Sequence, residues 1–468
     1  MRPGAEDADY LTSTGAPIGE IIQVMLDMDN YKVKFGNDDT WGAEVDLAAT
    51  IGSSVGSYKE IFPIAKKLSW TGYVNFGQRP FKYTAPTDYK CLCTQNLDDV
   101  FSGDPDNDPS KYFNVSQFTG TGQNNGNQQI KTGSFSPDLV WTRPNAITSS
   151  WAMYDRLRGT NSKLYSNSND AANTNSNAGP SAWHSDGLTL DDEGDNTVYN
   201  AANGIVYAWD AGTTAWSSTD NDVTAGTTAS TGWTNRTAGF SIVQYEGNNS
   251  NTTVGHNLGA EVKFIIIKNI DQSKSWVVGH DSMGWDTHLW LNGTDHTGAQ
   301  YDDYRFNSTA PSNTVFSLGS TSYTNADSHT HIAYCWAPID GYSKFGSYIG
   351  KGTNNFIYTG FRPRWIMYKR HAANSSSDGS TTYTSWGIID SERKPYNGLT
   401  GKTLWANRTE PEGRRGNATS TTSLDHIEVD FLSNGFFLDA EGSENNADTG
   451  GYIYAAFAEH PFKTARAK

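Results

Sequence analysis

Short apolar runs broken by Gly, Asn, Ser and Asp recur along the chain. Within each run, positions i, i+2 and i+4 fall on one face, the period of a β-strand. Ile332-Ala-Tyr-Cys-Trp336 shows the pattern: Ile332, Tyr334 and Trp336 share a face. Phe264-Ile-Ile-Ile267 is apolar at every position, as expected of a strand covered on both sides. No useful helical period is present. The pattern predicts an all-β chain of antiparallel β-sandwiches, short strands joined by long polar loops.

Six marks then recur three times in the same order. An aromatic-x-Gly turn comes first, at Phe118, Tyr245 and Tyr348. A strand ending in a basic residue follows: Pro137 to Arg143, Val262 to Lys268, Pro363 to Lys369. The third mark runs Trp151–Asp155, Trp276–His280 and Trp386–Asp390, and the fourth Leu164–Asn167, Leu289–Asn292 and Leu404–Asn407. A weaker fifth ends at Leu190, Leu318 and Leu438, and the last spans Ile205–Trp209, Ile332–Trp336 and Ile453–Phe457. Arg143 to Trp151 and Lys268 to Trp276 are both eight residues, and the wider gap in the third copy is filled by loop-like sequence. An offset of roughly 100–127 residues exceeds a solenoid unit, so each copy is expected to be a sandwich with its own core. The predicted organisation is an N-terminal unit over 1–96, a linker over 97–110 and a first repeat over 111–212. A Ser/Thr/Gly-rich linker over 213–238, a second repeat over 239–345 and a third over 346–468 complete it.

Composition narrows the function. Aromatic residues make up 13% of the 468 and charged residues only 18%, which argues against helical bundles and favours pleated sheets. A net charge of −16 argues against nucleic-acid binding, which needs a basic footprint. Three cysteines, Cys91, Cys93 and Cys335, support neither a disulfide scaffold nor a four-cysteine zinc site. The first residues lack an apolar signal region, and no run is long enough to span a membrane, so no membrane insertion is expected.

Ile18-Gly-Glu-Ile-Ile-Gln-Val-Met-Leu-Asp-Met-Asp-Asn30 and the following Tyr31–Phe35 resemble the central strands and hairpin of a SPRY domain. Val74-Asn-Phe-Gly-Gln-Arg-Pro-Phe81 is similar to the closing strand of SPRY modules in marine bacteriophage virion proteins. The three repeats, with Gly341–Tyr348 and Asp430–Phe436 as their most specific text, resemble a tandem concanavalin-A-like (jelly-roll) region beside such modules in phage structural or tail-fibre proteins. The N-terminal unit is shorter than a full SPRY sandwich, which implies a longer polypeptide or a partner that completes the sheet. The resemblance implies a virion protein assembled in the host cytoplasm, a tail fibre or other surface-projecting fibre. It would bind other virion proteins, form a homo-oligomer and contact host-surface glycans without catalysis. The alternatives are a capsid decoration protein that binds no sugar and, last, a polysaccharide hydrolase.

Candidate chemistry is sparse. Glu428-Val-Asp430-Phe-Leu432 approaches a glucanase carboxylate pattern but has Leu432 where the second Glu belongs. Asp104, Asp106 and Asp108 have the spacing of a Ca²⁺ loop, yet Pro109 and Val115 occupy positions an EF-hand gives to Gly and Glu. His329 and His331 share a strand face, as metal-binding pairs do, without a third ligand in view. No nucleotide loop or nucleophile elbow is present, and no cofactor is expected. Trp141, Trp151, Trp276, Trp365 and Trp386 sit on repeat strands and are expected in cores. Trp183, Trp233, Trp285, Trp290 and Trp405 lie in or beside polar loops, where an exposed indole suits the apolar face of a sugar, and these are the candidate ligand contacts.

Overall fold

The structure, a computed structural model, describes residues 22–27, 30, 32–37 and 40–46, then Tyr83, Thr84, Pro86 and Tyr89. From 108 to 461 it describes all but 122–127, 176–178, 191–202, 221–222, 296–303, 373–384, 400, 414–427 and 440–443. Nearly every regular element is an antiparallel strand, so the fold is all-β and sandwich-like. No helix among the described residues is long and apolar enough to cross a membrane. The chain divides into two compact units, Met1–Leu97 and Asp98–Lys468.

In the first unit, Ile22–Asp27, Lys32–Asn37 and Thr40–Asp46 form a three-stranded sheet. Asp27 closes the first hairpin, its carboxylate accepting from the backbone and side-chain nitrogens of Asn30. Val24 lies opposite Phe35 and Leu26 opposite Val33, while Lys32 and Glu44 pair on the other face. The Val74–Phe81 strand and the Cys91 and Cys93 positions lie outside the described residues.

Three large sheets in the second unit share one strand order. The first runs Phe113–Thr119, Asn203–Trp209, Leu139–Pro144, Ala152–Asp155, Leu164–Tyr165. The second runs Phe240–Glu246, Thr330–Trp336, Phe264–Asn269, Val277–His280, Gly284–Trp290, and the third Ser343–Ile349, Gly451–Pro461, Phe361–Ala372, Gly387–Asp390, Leu404–Trp405. The register repeats too: Trp141 opposes Tyr207, Ile266 opposes Tyr334 and Met367 opposes Ala455. Each large sheet is accompanied by a small one that holds the weak fifth mark, at Gly187–Leu190, Val315–Leu318 and Gly435–Leu438.

Strand alternation gives each large sheet two apolar faces, and the two are used differently. One face builds a private core: Val140 and Val206 in the first copy, Ile265 and Phe316 in the second, Ile366 and Phe436 in the third. The opposite faces meet in one continuous hub that joins Trp141, Trp151 and Trp209 with Ile266, Trp276, Trp336, Trp365, Trp386 and Phe457. Rings from different copies touch there, with Phe113 4.8 Å from Phe457, Trp209 5.8 Å from Trp365 and 6.2 Å from Trp336. The expectation of three sandwiches, each with its own core, is therefore corrected: the faces carrying the most tryptophan are completed only by the other two copies.

Two boundaries also move. The stretch 213–238 is no linker, because Ala215–Ser217 and Ser230–Asn235 are strands that extend the second sheet to seven. Thr and Ser there bond strand to strand, as Thr234 and Ser241 do at 2.7 Å, so a polar composition still pairs as sheet. The 345/346 boundary cuts the strand Ser343–Ile349.

Trp209→Ala removes a fully packed ring from the hub and should cost about 3–5 kcal/mol in urea unfolding. Hydrogen exchange should accelerate in Thr330–Trp336 and Gly451–Pro461 as well as in Asn203–Trp209. Unchanged protection in the second and third sheets would show that the copies stand independently.

Candidate functional site

The repeat marks place polar groups at the seams between copies, and their chemistry is cyclic. The indole N–H of Trp151 donates to Trp405 O at 2.8 Å, that of Trp386 to Trp290 O at 2.9 Å, and that of Trp276 to Tyr165 O at 3.0 Å. Each tryptophan is held from behind by the asparagine of the fourth mark: Asn167, Asn292 and Asn407 accept from the backbone N–H of Trp151, Trp276 and Trp386. The basic residue ending the second mark is buried at the same seams. Arg143 donates to Arg408 O and Thr409 O, Lys268 donates to Asn169 O, and Lys369 lies over the Trp386 ring.

Two seams add a phenol–carboxylate–guanidinium lock. Tyr207 donates to Asp390 at 3.0 Å, with Arg393 on the same oxygen at 2.7 Å, and Tyr334 donates to Asp155 at 2.6 Å, with Arg158 paired to it. Burial pushes both phenols well above their ordinary range, so they remain donors. The third seam is different: Ala455 replaces the tyrosine, His280 replaces the aspartate, and the imidazole Nε2 meets Tyr454 O at 3.2 Å. Sequence reasoning passed over these locks. Their signal was nonetheless present, because Asp, His, Asp end the third mark and Tyr, Tyr, Ala occupy the middle of the last.

The five candidate tryptophans meet different fates. Trp405 is wholly buried and Trp285 is 6% exposed, so neither presents a ring to a ligand. Both lie on strands, Leu404–Trp405 and Gly284–Trp290, and the Trp285 ring packs 5.2 Å from Phe306; loop-like neighbours in sequence gave a false impression of exposure. Trp183 and Trp233, from different copies, are half-buried and flank one guanidinium, with Arg156 5.4 Å from the first ring and 5.8 Å from the second. Arg156 also pairs with the buried Asp138 at 2.8 Å, and the neighbouring Asp210 accepts from Asn235 of the second copy. Burial raises Asp138 to about 8 and raises Asp210 as well. The two indoles thus spend ring faces on a staple between copies.

Trp290 is half-buried beside Tyr323, their rings 4.8 Å apart, with Arg305 over both and Lys274 over Tyr323. His288 lies edge-on to Trp290 at 4.6 Å, fully buried, with neither ring nitrogen hydrogen-bonded. Of the Ca²⁺ candidates, Asp108 caps a short 3₁₀ turn by accepting from Ser110 N, and Asp104 and Asp106 lie outside the described residues. His329 and His331 are taken up locally, His329 by Gln272 and Asp327 O, His331 by Ala326 N and His329 O. Among the described residues no cluster of three or more His, Cys, Asp or Glu could hold a metal ion.

Burial holds His256, His280 and His331 near 4 and His288, with Arg305 adding to the effect, near 3. All four belong to the second copy. The unfolded chain takes up these protons first, so their contribution to stability is complete above about pH 6.5 and falls as the pH drops toward 4, by about 1.4 kcal/mol per unit for each group, offset in part by Asp138, whose proton the folded chain binds first. Urea titrations between pH 7 and 4 check the slope. His288→Leu removes two unpaired nitrogens at similar volume and should be neutral or stabilising by about 1 kcal/mol, with a shallower acid slope. A clear loss of stability at pH 7 would contradict this.

No curated protein and no solved structure matches the chain. A family described as a domain of unknown function (DUF7483) matches residues 108–461, from the turn that opens the first large sheet to the end of the last strand of the third. One family domain thus encloses the hub and all three copies, and the chain belongs to that family.

Proposed function

We propose that the chain is a non-catalytic structural protein of a bacteriophage particle, a tail fibre or other surface-projecting fibre. Its perimeter loops would contact neighbouring virion proteins or host-surface glycans. The carrying observation is where the chain puts its reactive groups. Asp155, Arg158, Tyr334, Asp390, Arg393 and Tyr207 are committed to locking three sheets together. The small gap at the hub is lined by the rings of Trp141, Trp209, Trp336, Trp365 and Phe457, which suits packing better than reaction. The phage assignment itself rests on the SPRY-like and concanavalin-like resemblance of the sequence.

The fate of the candidate tryptophans favours the version of this reading in which protein contacts dominate. Trp183 and Trp233 already stack on Arg156, and Trp405 and Trp285 are buried, which leaves fewer open rings for sugars. A decoration protein that grips shell subunits has the same needs.

Peptide mass spectrometry of gradient-purified particles from a phage encoding this chain should find it at structural copy number. The purified chain should also bind particles that lack it. Absence from purified particles would overturn the proposal. Glycan-array binding then separates a receptor-binding fibre from a decoration protein, and release of reducing sugar would point to the hydrolase.

A further inference from the structure

The third copy carries a lysine at a place where the others have glycine. Four residues after Asp155 and His280 stand Gly159 and Gly284; four after Asp390 stands Lys394. Its side chain is 1% exposed and its Nζ lies 3.2 Å from Oδ1 of Asp430, on the small-sheet strand Val429–Leu432. Nζ is buried yet has no acceptor in hydrogen-bonding geometry, an arrangement that costs free energy if the group stays an ammonium. The segment after it covers the same strand: Asn397 bonds both the N–H and the C=O of Phe431, and Gly398 N donates to Asp430 Oδ1 at 2.9 Å. That hydrogen bond holds the Asp430 carboxyl in place beside the amine. Val429 and Phe431, on either side of Asp430, are fully buried in the private core of the third copy.

A pair of carboxyls lies next to this contact. Glu428 hydrogen-bonds Asp439 and is within electrostatic reach of both Asp430 and Lys394. Partial burial, then Asp439, raises Glu428, so it keeps a proton longer than an isolated carboxyl. Burial lowers Lys394, which favours the neutral amine that can act as a nucleophile.

We propose that Lys394 and Asp430 form an intramolecular isopeptide bond. Counted as amine plus carboxylic acid, which together hold the same protons as the ion pair, Lys394 Nζ attacks Cγ of Asp430, a C–N bond forms and a C–O bond breaks. The departing hydroxyl leaves as water with one hydrogen from the amine. Glu428 carries that proton, giving its own to the leaving oxygen and regaining one from nitrogen. No oxidant, reductant or external group is consumed. The product ties the turn after Gly387–Asp390, in the large sheet, to the small sheet it packs on. It closes the intervening chain into a loop as a disulfide does. Cysteine offers no such tie among the described residues, where Cys335 is buried and free.

Intact mass spectrometry of the denatured full chain, followed by tryptic mapping, tests this. The wild-type chain should be one water lighter than its sequence, with a branched peptide joining the Lys394 and Asp430 segments. Lys394→Ala and Glu428→Gln should both have the full sequence mass, and Glu428→Gln leaves the Lys394–Asp430 contact in place as a control for folding. A wild-type chain at full mass overturns the proposal. So does a water loss that survives Lys394→Ala, which would mark a cyclised Asn or Asp elsewhere. A cross-link retained in Glu428→Gln overturns the part given to Glu428.

Discussion

The second unit depends on one constraint: each large sheet is apolar on both faces, and one small sheet can cover only one of them. The uncovered faces hold Trp, Tyr and Phe, whose exposure to water would cost about 1.5–3 kcal/mol per ring. Three such faces turned toward a common axis cover one another. The chain supplies all three, so the hub forms without a second molecule. Of the hub indoles, Trp151, Trp276 and Trp386 each donate to a backbone carbonyl of a neighbouring copy, whereas the Nε1 of Trp141, Trp209, Trp336 and Trp365 is buried without a hydrogen-bond partner. Hydrogen bonding thus fixes the seams, and apolar packing alone holds the centre.

That arrangement explains why the repeat marks survive as marks. A residue such as Arg143 or Lys268 closes a strand and is then buried at a seam, where its charge is met by carbonyl oxygens of the next copy. Asn167, Asn292 and Asn407 look like loop residues and instead fix the tryptophans that reach across. Residues just beyond the marks share this work, since Arg408 O and Thr409 O accept from Arg143 and Asn169 O accepts from Lys268. The family match over 108–461 has the same extent as the hub-bound structure.

Much of this was legible in the chain itself. Period-two alternation located the strands, and equal spacing between marks gave the repeat, because strand register fixes distance along the sequence. The doubly apolar Phe264–Ile267 strand correctly announced cover on both sides, with Phe264 and Ile266 in the hub and Ile265 and Ile267 in the private core. What covers the second face could not be read, since periodicity records that a face is buried and not by what. The same blindness misplaced Trp405 and Trp285, whose polar neighbours in sequence are not their neighbours in space. It also turned the Thr- and Ser-rich Ala215–Asn235 region into a linker, although β-branched hydroxyl residues pair well at a sheet edge. Trp183 and Trp233, expected in or beside loops, lie on the strands Pro180–His184 and Ser230–Asn235, and their meeting on Arg156 depends on two copies lying side by side.

The third seam carries a consequence of its own. With Ala455 and His280 where the other seams have tyrosine and aspartate, the three joints are not interchangeable. A third-copy sheet slotted into another's place would leave an aspartate facing a methyl group, or a phenol facing an imidazole that already has its carbonyl. Such mismatches penalise circular misassembly and exchange of sheets between crowded chains during synthesis. Small departures from threefold symmetry thus act as an address, telling each sheet which neighbour to accept.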